Sequence, residues 1–494
     1  MPAARHQLIK NATLTIAQVI VTATTMFVVY RYLLDALGAV KLGTWSIVMA
    51  TASVARLTDM GFAGGLTRFV AKYRALDDHR AVAEIIETGV TSLAGIALIV
   101  LTLVYPLLKY LIPQLIPEAA VDALELLPFA LCSLGLLTLA GGYLSSLDGI
   151  LRTDLRNLIM IGGALLYMVL TLVLVRKLGF VGLGWAQLGQ SAAVLLAAWW
   201  MLRMQIGLPW CPRRWRRARF AEMIGYNAHL QLGSMASLLG DPAAKLLLGR
   251  YGDLATVGYF EMATKLVSQL RAIVVNVNQV LVPYIARLRE TGDDAVTTLY
   301  EKTHSIIFFI STTMFGLLLA SVSAVSALWL GSYNTTFVMV CLMMLPAMAV
   351  NTLAGAAFFS NLGVGDASRN SLVQVGMGLA NLLLGAVLGW LSGGPGVVAG
   401  YALSIIAGSL YLMLRYRHAR ALSASTLVPK GQRTHMLFTL LAGLAANLTA
   451  PLMVDLTPGL RWTPVVLALA IVALSAFRCD LGRLAWQRLL SKMA

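Results

Sequence analysis

Apolar residues follow one another along this chain in long runs, and short polar or basic segments separate the runs. A helix needs about 20 consecutive apolar residues to cross the hydrocarbon core of a bilayer. By that measure the pattern predicts fourteen membrane-spanning helices, at 8–34, 44–68, 83–108, 124–147, 157–175, 180–202, 223–249, 254–286, 303–330, 335–362, 370–391, 396–414, 434–454 and 462–477. The predicted fold class is therefore an all-α polytopic membrane protein.

Composition excludes the soluble classes of protein and offers no cofactor site. Of the 494 residues, 59% are hydrophobic and 12% are charged, whereas roughly a quarter of residues are charged in soluble domains. No phosphate-binding loop of the type G-x-x-x-x-G-K-[ST] occurs, so ATP coupling within this chain is not expected. The four cysteines are isolated and the six histidines are dispersed, which predicts no metal site and no cofactor.

Basic residues predict how the chain is oriented in the membrane. With the N-terminus inside, the cytoplasmic segments collect about 26 Lys and Arg residues and the opposite side collects about eight. Because positive charge is retained on the cytoplasmic side, both termini are predicted to be cytoplasmic. The net charge of +16 is then a consequence of topology and does not indicate nucleic-acid binding.

The densest basic cluster is PWCPRRWRRARF, from Pro209 to Phe220, between the sixth and seventh predicted spans. The favoured interpretation is a topological anchor and linker between two halves of the protein. A compatible interpretation places Trp210, Trp215 and Phe220 at the lipid headgroups while the arginines meet anionic lipid.

An internal repeat divides the chain into two halves. Gly43 to Asp78 aligns without gaps on Gly258 to Asp293, and the seven identical pairs are Gly43 with Gly258, Ser53 with Ser268, Arg56 with Arg271, Leu66 with Leu281, Ala71 with Ala286, Arg74 with Arg289 and Asp78 with Asp293. Internal duplication around a substrate path is the usual architecture of secondary transporters. The predicted domains are an N-lobe at 1–205, a basic linker at 206–222, a C-lobe at 223–420, and two further helices with a tail at 421–494.

Ionisable residues inside the spans are the candidates for binding charged cargo. An ionised side chain near the bilayer centre costs on the order of 3 kcal/mol, so it should face a partner or a cavity. Arg56 and Arg271 occupy matched positions of the repeat and are predicted to bind an anionic group. Lys265 is a further candidate, unless it pairs with Glu261 four residues earlier. Arg31 either snorkels to the interface or attracts an anionic headgroup.

Two carboxylates are candidates for gating or coupling. Asp59 lies three residues after Arg56, so it either pairs with that arginine or tempers it in a cavity. Asp241 precedes Pro242, which is expected to bend or break the seventh span. It either pairs with Lys245 or binds a proton or a sodium ion.

Uncharged polar residues are predicted to line the wall of the cavity. They are Gln18, Ser268, Asn278 and Gln374. Gln374 shares a helical stripe with Asn370 and Asn381, and helix packing explains such amides as readily as contact with a sugar does.

The segment RYLLDALGAVKLGTWSIVMATASVARLTDMGFAGGLTRFVAKYRALDD, with Asp59-x-Gly61 followed by Arg68, resembles the first lobe of bacterial polysaccharide flippases. Their superfamily also contains lipid II flippases and multidrug and toxin extruders. The resemblance implies two six-helix lobes in a V around a cavity, plus two C-terminal helices. Gly61, Gly64 and Gly65 are then either bend points for alternating access or sites of close helix packing.

The substrate implied by the resemblance is a polyprenyl-pyrophosphate-linked oligosaccharide, such as an O-antigen or exopolysaccharide repeat unit. It would move from the cytoplasmic to the periplasmic leaflet of the bacterial inner membrane. Membrane lipids and the polysaccharide polymerase machinery are the expected partners. Coupling to protons, to sodium or to the membrane potential stays open.

Three alternative functions remain at this stage. A lipid II flippase would also carry a pyrophosphate headgroup. A cation-coupled multidrug exporter would need an acidic site, whereas the central charges here are mainly positive. A membrane-embedded glycosyltransferase would need large outer loops, which the pattern does not contain. A transporter without enzymatic activity is therefore expected.

Overall fold

The computed structural model describes residues 2–53, 62–210, 214–224, 238–279, 285, 293–450, 462–479 and 482. These residues form two compact units, Met1–Gly258 and Tyr259–Ala494. The boundary lies inside a helix, so it does not coincide with the predicted linker at 206–222. The predicted lobe boundaries stay predictions.

Fourteen helices with defined bounds occur in the described residues. We number them α1 (Pro2–Ala52), α2 (Phe62–Ala75), α3 (His79–Leu115), α4 (Ala120–Gly149), α5 (Thr153–Leu178), α6 (Phe180–Ile206), α7 (Asp241–Tyr251), α8 (Leu254–Gln279), α9 (Asp293–Leu330), α10 (Thr335–Leu353), α11 (Gly355–Gly363), α12 (Ala367–Ala419), α13 (Arg433–Thr449) and α14 (Thr463–Arg478). Within the described residues, eight helical segments are long and apolar enough to cross a membrane. The predicted all-α polytopic class is confirmed.

The two longest helices each correspond to two predicted spans. Gly38 has a φ of 81° inside α1, and Gly393 has a φ of 66° inside α12. Only glycine adopts such backbone angles without strain. In α12 the break falls where the sequence predicted a loop, at 392–395. In α1, the predicted loop at 35–43 is mostly helical, because one glycine suffices to turn the chain.

A tight helical hairpin occurs twice, once in each unit. In the first hairpin Gly179 links α5 to α6, and a Cβ at Gly182 would overlap the carbonyl oxygen of Leu174. In the second, a Cβ at Gly396 would overlap the carbonyl oxygen of Leu388 in the same way. The separation of Gly182 from Gly396 along the chain is nearly that of the matched glycines in the aligned repeat. The internal repeat therefore extends well beyond the aligned segment.

The matched glycines of the repeat, Gly43 and Gly258, touch each other. A Cβ built on Gly43 would overlap the carbonyl oxygen of Leu254 and lie 3.1 Å from the backbone nitrogen of Gly258. A Cβ on Gly258 would overlap the carbonyl oxygen of Ala39 and lie 3.2 Å from the backbone nitrogen of Gly43. Small residues four apart let two membrane helices approach this closely. The second half of α1 and the start of α8 therefore cross backbone to backbone within the first unit.

In each unit a polar segment docks onto a long helix, which is α3 in the first unit and α9 in the second. The backbone nitrogen of Arg216 donates to Thr88 Oγ1 of α3 at 3.2 Å. In the second unit, Gln432 Nε2 donates to the carbonyl oxygen of Ser305 in α9 at 2.9 Å, and His304 Nε2 lies 3.2 Å from the carbonyl oxygen of Leu427. Arg216 and Gln432 are 216 residues apart along the chain, and their partners Thr88 and Ser305 are 217 apart. The docked segments thus occur at nearly matched positions of the two halves.

The last two helices are fixed to α9 by buried polar contacts. His435 of α13 is 2% exposed, and its ring nitrogens lie 3.0 Å from Thr313 Oγ1 and 2.8 Å from Ser475 Oγ of α14. Ser323 Oγ donates to Asn447 Oδ1 at 2.7 Å. In an apolar surrounding such bonds bring helices together, because an unmade bond has no water to replace it. Both helices are therefore integral parts of the second unit.

Candidate functional site

The polar face of α8 in the second unit carries three of the predicted site residues. Lys265, Ser268 and Arg271 recur every three residues along this helix, so they lie on one side of it. Ser268 and Arg271 are exposed and Lys265 is partly exposed. On the far side of the helix Met262 and Ala263 are fully buried. Phe260 and Val267, which flank the polar residues, are each no more than 1% exposed. The polar residues are therefore the exposed part of an otherwise packed segment.

Arg271 is held by a relay of polar side chains from two other helices. Its Nε donates to Asn351 Oδ1 of α10 at 2.9 Å. Asn351 Nδ2 in turn donates to Ser409 Oγ of α12 at 3.0 Å. Ser409 is 1% exposed, so the relay starts in the core of the unit and ends at an exposed guanidinium. The arrangement orients the arginine instead of leaving it to snorkel.

An oriented arginine within apolar helices is suited to bind an anion. Its charge is permanent, and its donors form a rigid fork that matches carboxylate or phosphate oxygens. The partner of the guanidinium Nε in this relay is an amide, which orients the arginine. A guanidinium held in this way can donate to the oxygens of a negatively charged group.

Lys265 forms an ion pair with Glu261. Lys265 Nζ lies 3.3 Å from Glu261 Oε1, with side chains 41% and 8% exposed. This is the pairing that the sequence left as the alternative to a cavity role. In this conformation Lys265 neutralises the buried carboxylate of Glu261, which is a structural role.

We expect Lys265→Met to lower thermal stability, because it leaves the nearly buried Glu261 carboxylate without this cation. Breaking a buried pair costs up to about 3–5 kcal/mol, and the partial exposure of Lys265 reduces that to roughly 1–2 kcal/mol here. The double variant Lys265→Met/Glu261→Gln should regain most of the loss and transport normally. Melting temperature and transport rate are the measurements. A stable but inactive double variant would assign Lys265 to substrate binding instead.

Other predicted site residues belong to the first unit. In the first unit, Arg31 Nε pairs with Asp35 Oδ2 at 2.9 Å, a partner that the sequence analysis did not weigh. Gln18 is half-buried in α1, and Asp241 is half-buried at the first turn of α7, followed by Pro242. The predicted break of the seventh span at this proline agrees with a helix that begins at Asp241. A coupling role for Asp241 stays a prediction.

The polar stripe of α12 divides into two kinds of residue. Gln374 is exposed, as a residue of a cavity wall would be. Asn370 is buried and packs helices together: its Nδ2 donates to the carbonyl oxygen of Phe358 at 2.8 Å, and its Oδ1 accepts from Asn361 at 3.0 Å. Helix packing, the alternative given above for this stripe, explains Asn370.

Several predicted residues fall outside the described part of the chain. Arg56, Asp59 and Gly61 lie there, as does the side chain of Asn278. Gly64 and Gly65 are in the first turn of α2. The matched pair Arg56 and Arg271 is thus described for its second member, and the role of Arg56 stays a prediction.

Asn351 and Ser409, the two residues that position Arg271, were not among the residues predicted from the sequence. Each lies in a mainly apolar run, in AMAVNTLAG and IIAGSLYL. An amide inside a membrane helix needs a partner, which is a signal that the sequence does contain. Pairing it with Arg271, which is remote along the chain, required the packing of three helices.

Comparison with solved structures defines the class of fold. The lipid II flippase MurJ in an inward closed conformation superposes with a TM-score of 0.73 at 13% identity, covering 95% of this chain and 98% of that one. An inward-facing multidrug resistance MATE family transporter of the MOP superfamily gives 0.64 at 14% identity, covering 82% and 94%. A Vibrio cholerae MATE transporter in its bent form gives 0.57 at 13%, covering 85% and 98%. The chain has the fold of MOP superfamily transporters.

The sequence itself identifies the family. The profile of the family described as polysaccharide biosynthesis protein matches residues 8–289, which is more than half of the chain. The protein belongs to this family and is a multi-pass membrane protein. A search of curated protein sequences found no match.

Proposed function

We propose that this protein is a flippase for polyprenyl-pyrophosphate-linked oligosaccharides, moving an O-antigen or exopolysaccharide repeat unit across the bacterial inner membrane. Transport would run from the cytoplasmic to the periplasmic leaflet by alternating access, with both termini in the cytoplasm. The chain would transport without catalysing a covalent reaction. The driving force would come from protons, sodium or the membrane potential.

One structural observation carries the proposal: the exposed arginine of α8, fixed by Asn351 and Ser409. A pyrophosphate presents several anionic oxygens at one point, and a bidentate guanidinium recognises such a group. Membership of a polysaccharide biosynthesis family supports a glycan as the remainder of the cargo. The fold supports transport as the activity.

The test is flipping in proteoliposomes that contain the full-length protein. A fluorescent polyprenyl-pyrophosphate oligosaccharide, lipid II and a fluorescent phosphatidylcholine are compared, and a membrane-impermeant quencher reports the outer leaflet. We expect the oligosaccharide to flip at least about tenfold faster than in protein-free vesicles and phosphatidylcholine to show no such increase.

Each other outcome assigns a different function. Faster flipping of lipid II than of the oligosaccharide would make the protein a lipid II flippase. Movement of a cationic dye under an ion gradient, without flipping of either lipid, would favour the multidrug exporter. Equal flipping of all lipids would indicate an unspecific scramblase.

A further inference from the structure

The segment after α6 is held as a fixed surface element of the first unit. We call residues 209–210 and 214–219 the basic strap. Glu87 Oε2 accepts the backbone N–H of Arg214 at 2.9 Å, and Thr88 Oγ1 donates to the carbonyl oxygen of Arg214 at 3.4 Å. The indole nitrogen of Trp215 donates to Ser92 Oγ at 3.0 Å. One side of α3 therefore binds the backbone of the strap.

This docking sorts the arginines of the strap into two groups. Arg219 is turned inward, where its Nη1 donates to the Tyr73 hydroxyl at 2.6 Å and its Nε lies 3.6 Å from Glu84 Oε2. Arg214 and Arg217 are exposed, and in the described part of the chain neither side chain has an ion-pair partner. The strap thus presents two positive charges on its outer side.

A carboxylate, Glu222, helps to hold Arg219 in this inward position through Arg219 Nη1, which lies 3.4 Å from Glu222 Oε2. Burial alone would raise the pKa of Glu222, but hydrogen bonds from Lys72 and Tyr73, together with Arg219, lower it below its ordinary value. Lys72 Nζ lies 3.0 Å from Glu222 Oε1. At neutral pH this carboxylate therefore stays charged and retains its cations.

Three indole rings cluster at the C-terminal end of α6, where the strap begins. Trp200 and Trp210 are 43% and 64% exposed, and the rings of Trp199 and Trp210 lie 5.6 Å apart. The guanidinium of Arg203 sits 3.9 Å from the centre of the Trp210 ring. Exposed indoles at the end of a membrane helix mark the depth of the lipid headgroups.

Arg203 is held against these rings, and its Nη1 is buried, so that atom does not reach a lipid headgroup. At headgroup depth the abundant acceptors for arginines are phosphate oxygens. The exposed Arg214 and Arg217 of the strap are placed to meet them.

From these observations we infer that the basic strap and the Trp199, Trp200 and Trp210 cluster form a binding surface for anionic phospholipid headgroups. Arg214 and Arg217 contact the phosphates, the indoles lie among the upper acyl chains, and α3 holds the strap in the required geometry. The sequence alone suggested that all arginines of the basic cluster meet anionic lipid. In the structure Arg219 is engaged within the protein, and Arg214 and Arg217 are exposed. This surface does not depend on which cargo the protein moves.

The test is titration of the full-length protein in detergent with phosphatidylglycerol, read by native mass spectrometry, with phosphatidylcholine for comparison. Arg214→Gln/Arg217→Gln should weaken phosphatidylglycerol binding by about fivefold or more and leave phosphatidylcholine unchanged. The matched control is Arg176→Gln/Lys177→Gln, which removes two exposed charges at the other end of the α5–α6 hairpin. It should bind as the wild type does.

A second variant separates geometry from charge. Thr88→Val/Ser92→Ala removes bonds that hold the strap but changes no charge, and it should also weaken phosphatidylglycerol binding. Unchanged binding in Arg214→Gln/Arg217→Gln would overturn the proposal and leave the strap to a protein partner or to solvent. Equal weakening in the Arg176→Gln/Lys177→Gln control would reduce the effect to net charge and overturn it as well.

Discussion

Replacing Arg271 with alanine should lower the flipping rate at least about tenfold while leaving insertion and folding intact. Hydrogen bonds to charged groups contribute about 1.5–3 kcal/mol, and about 1.4 kcal/mol corresponds to a factor of ten. Arg271→Lys should have an intermediate rate, because it keeps the charge but loses the planar fork. The measurement is flipping of the pyrophosphate-linked oligosaccharide in proteoliposomes at verified equal insertion.

Asn351→Leu tests whether the relay positions the arginine. It removes the acceptor of Arg271 Nε without removing charge, so we expect a loss of about threefold to tenfold, raised KM, and a weaker effect once Arg271 is already alanine. The charge control is Arg415→Ala, which removes an exposed arginine that donates to Tyr411 in the last turns of α12. Full activity in Arg271→Ala, or an equal loss in Arg415→Ala, would contradict an anion site at Arg271.

The crossing of Gly43 and Gly258 should tolerate a single added methyl group poorly. An added Cβ at either glycine overlaps a backbone carbonyl oxygen, and backbone cannot rotate away as a side chain does. Overpacking of this kind costs about 1–3 kcal/mol or more. We expect Gly43→Ala and Gly258→Ala to lower the melting temperature by several degrees and the yield of monodisperse protein, as measured by thermal unfolding and size-exclusion chromatography.

The chain provides matched glycine controls for this experiment. A Cβ at Gly95, Gly162 or Gly376 would meet nothing within 4 Å, and all three lie inside helices. Their replacement by alanine should be neutral or stabilise by about 0.5–1 kcal/mol, because glycine weakens a helix interior. If Gly43→Ala unfolds at the same temperature as Gly95→Ala, the close crossing does not contribute to stability.

The helical class and the repeat were predictable because both depend on local sequence. A long apolar run in lipid forms a helix because a helix pairs every backbone N–H and C=O group within the segment. The breaks at Gly38 and Gly393 occur near predicted loops. The alignment of Gly43 with Gly258 predicted two related halves. The two hairpins and the two docked segments occur at nearly the same spacing along the chain. The ends of the helices were predicted less accurately. Helix α3, for example, runs from His79 to Leu115, whereas the predicted apolar span was 83–108.

Partners across helices could not be read from the sequence. The pairing of Lys265 with Glu261 was one of two stated options, because the two residues are one helical turn apart. The relay from Ser409 through Asn351 to Arg271 joins three helices, and no local pattern indicates which polar residue meets which. The same holds for the basic strap. Its arginines are indistinguishable in sequence, and docking on α3 turns Arg219 inward while Arg214 stays exposed.

The sequence by itself determined that this is a polytopic helical membrane protein of a polysaccharide biosynthesis family, with two related halves and a positively charged residue on α8. Hydrophobic periodicity and charge distribution are properties of consecutive residues, so they can be counted along the chain. The tertiary structure alone decided that Arg271 is oriented by an amide, that Arg219 is turned inward whereas Arg214 is exposed, and that Gly43 meets Gly258. These depend on distances between helices, which packing sets and sequence separation does not.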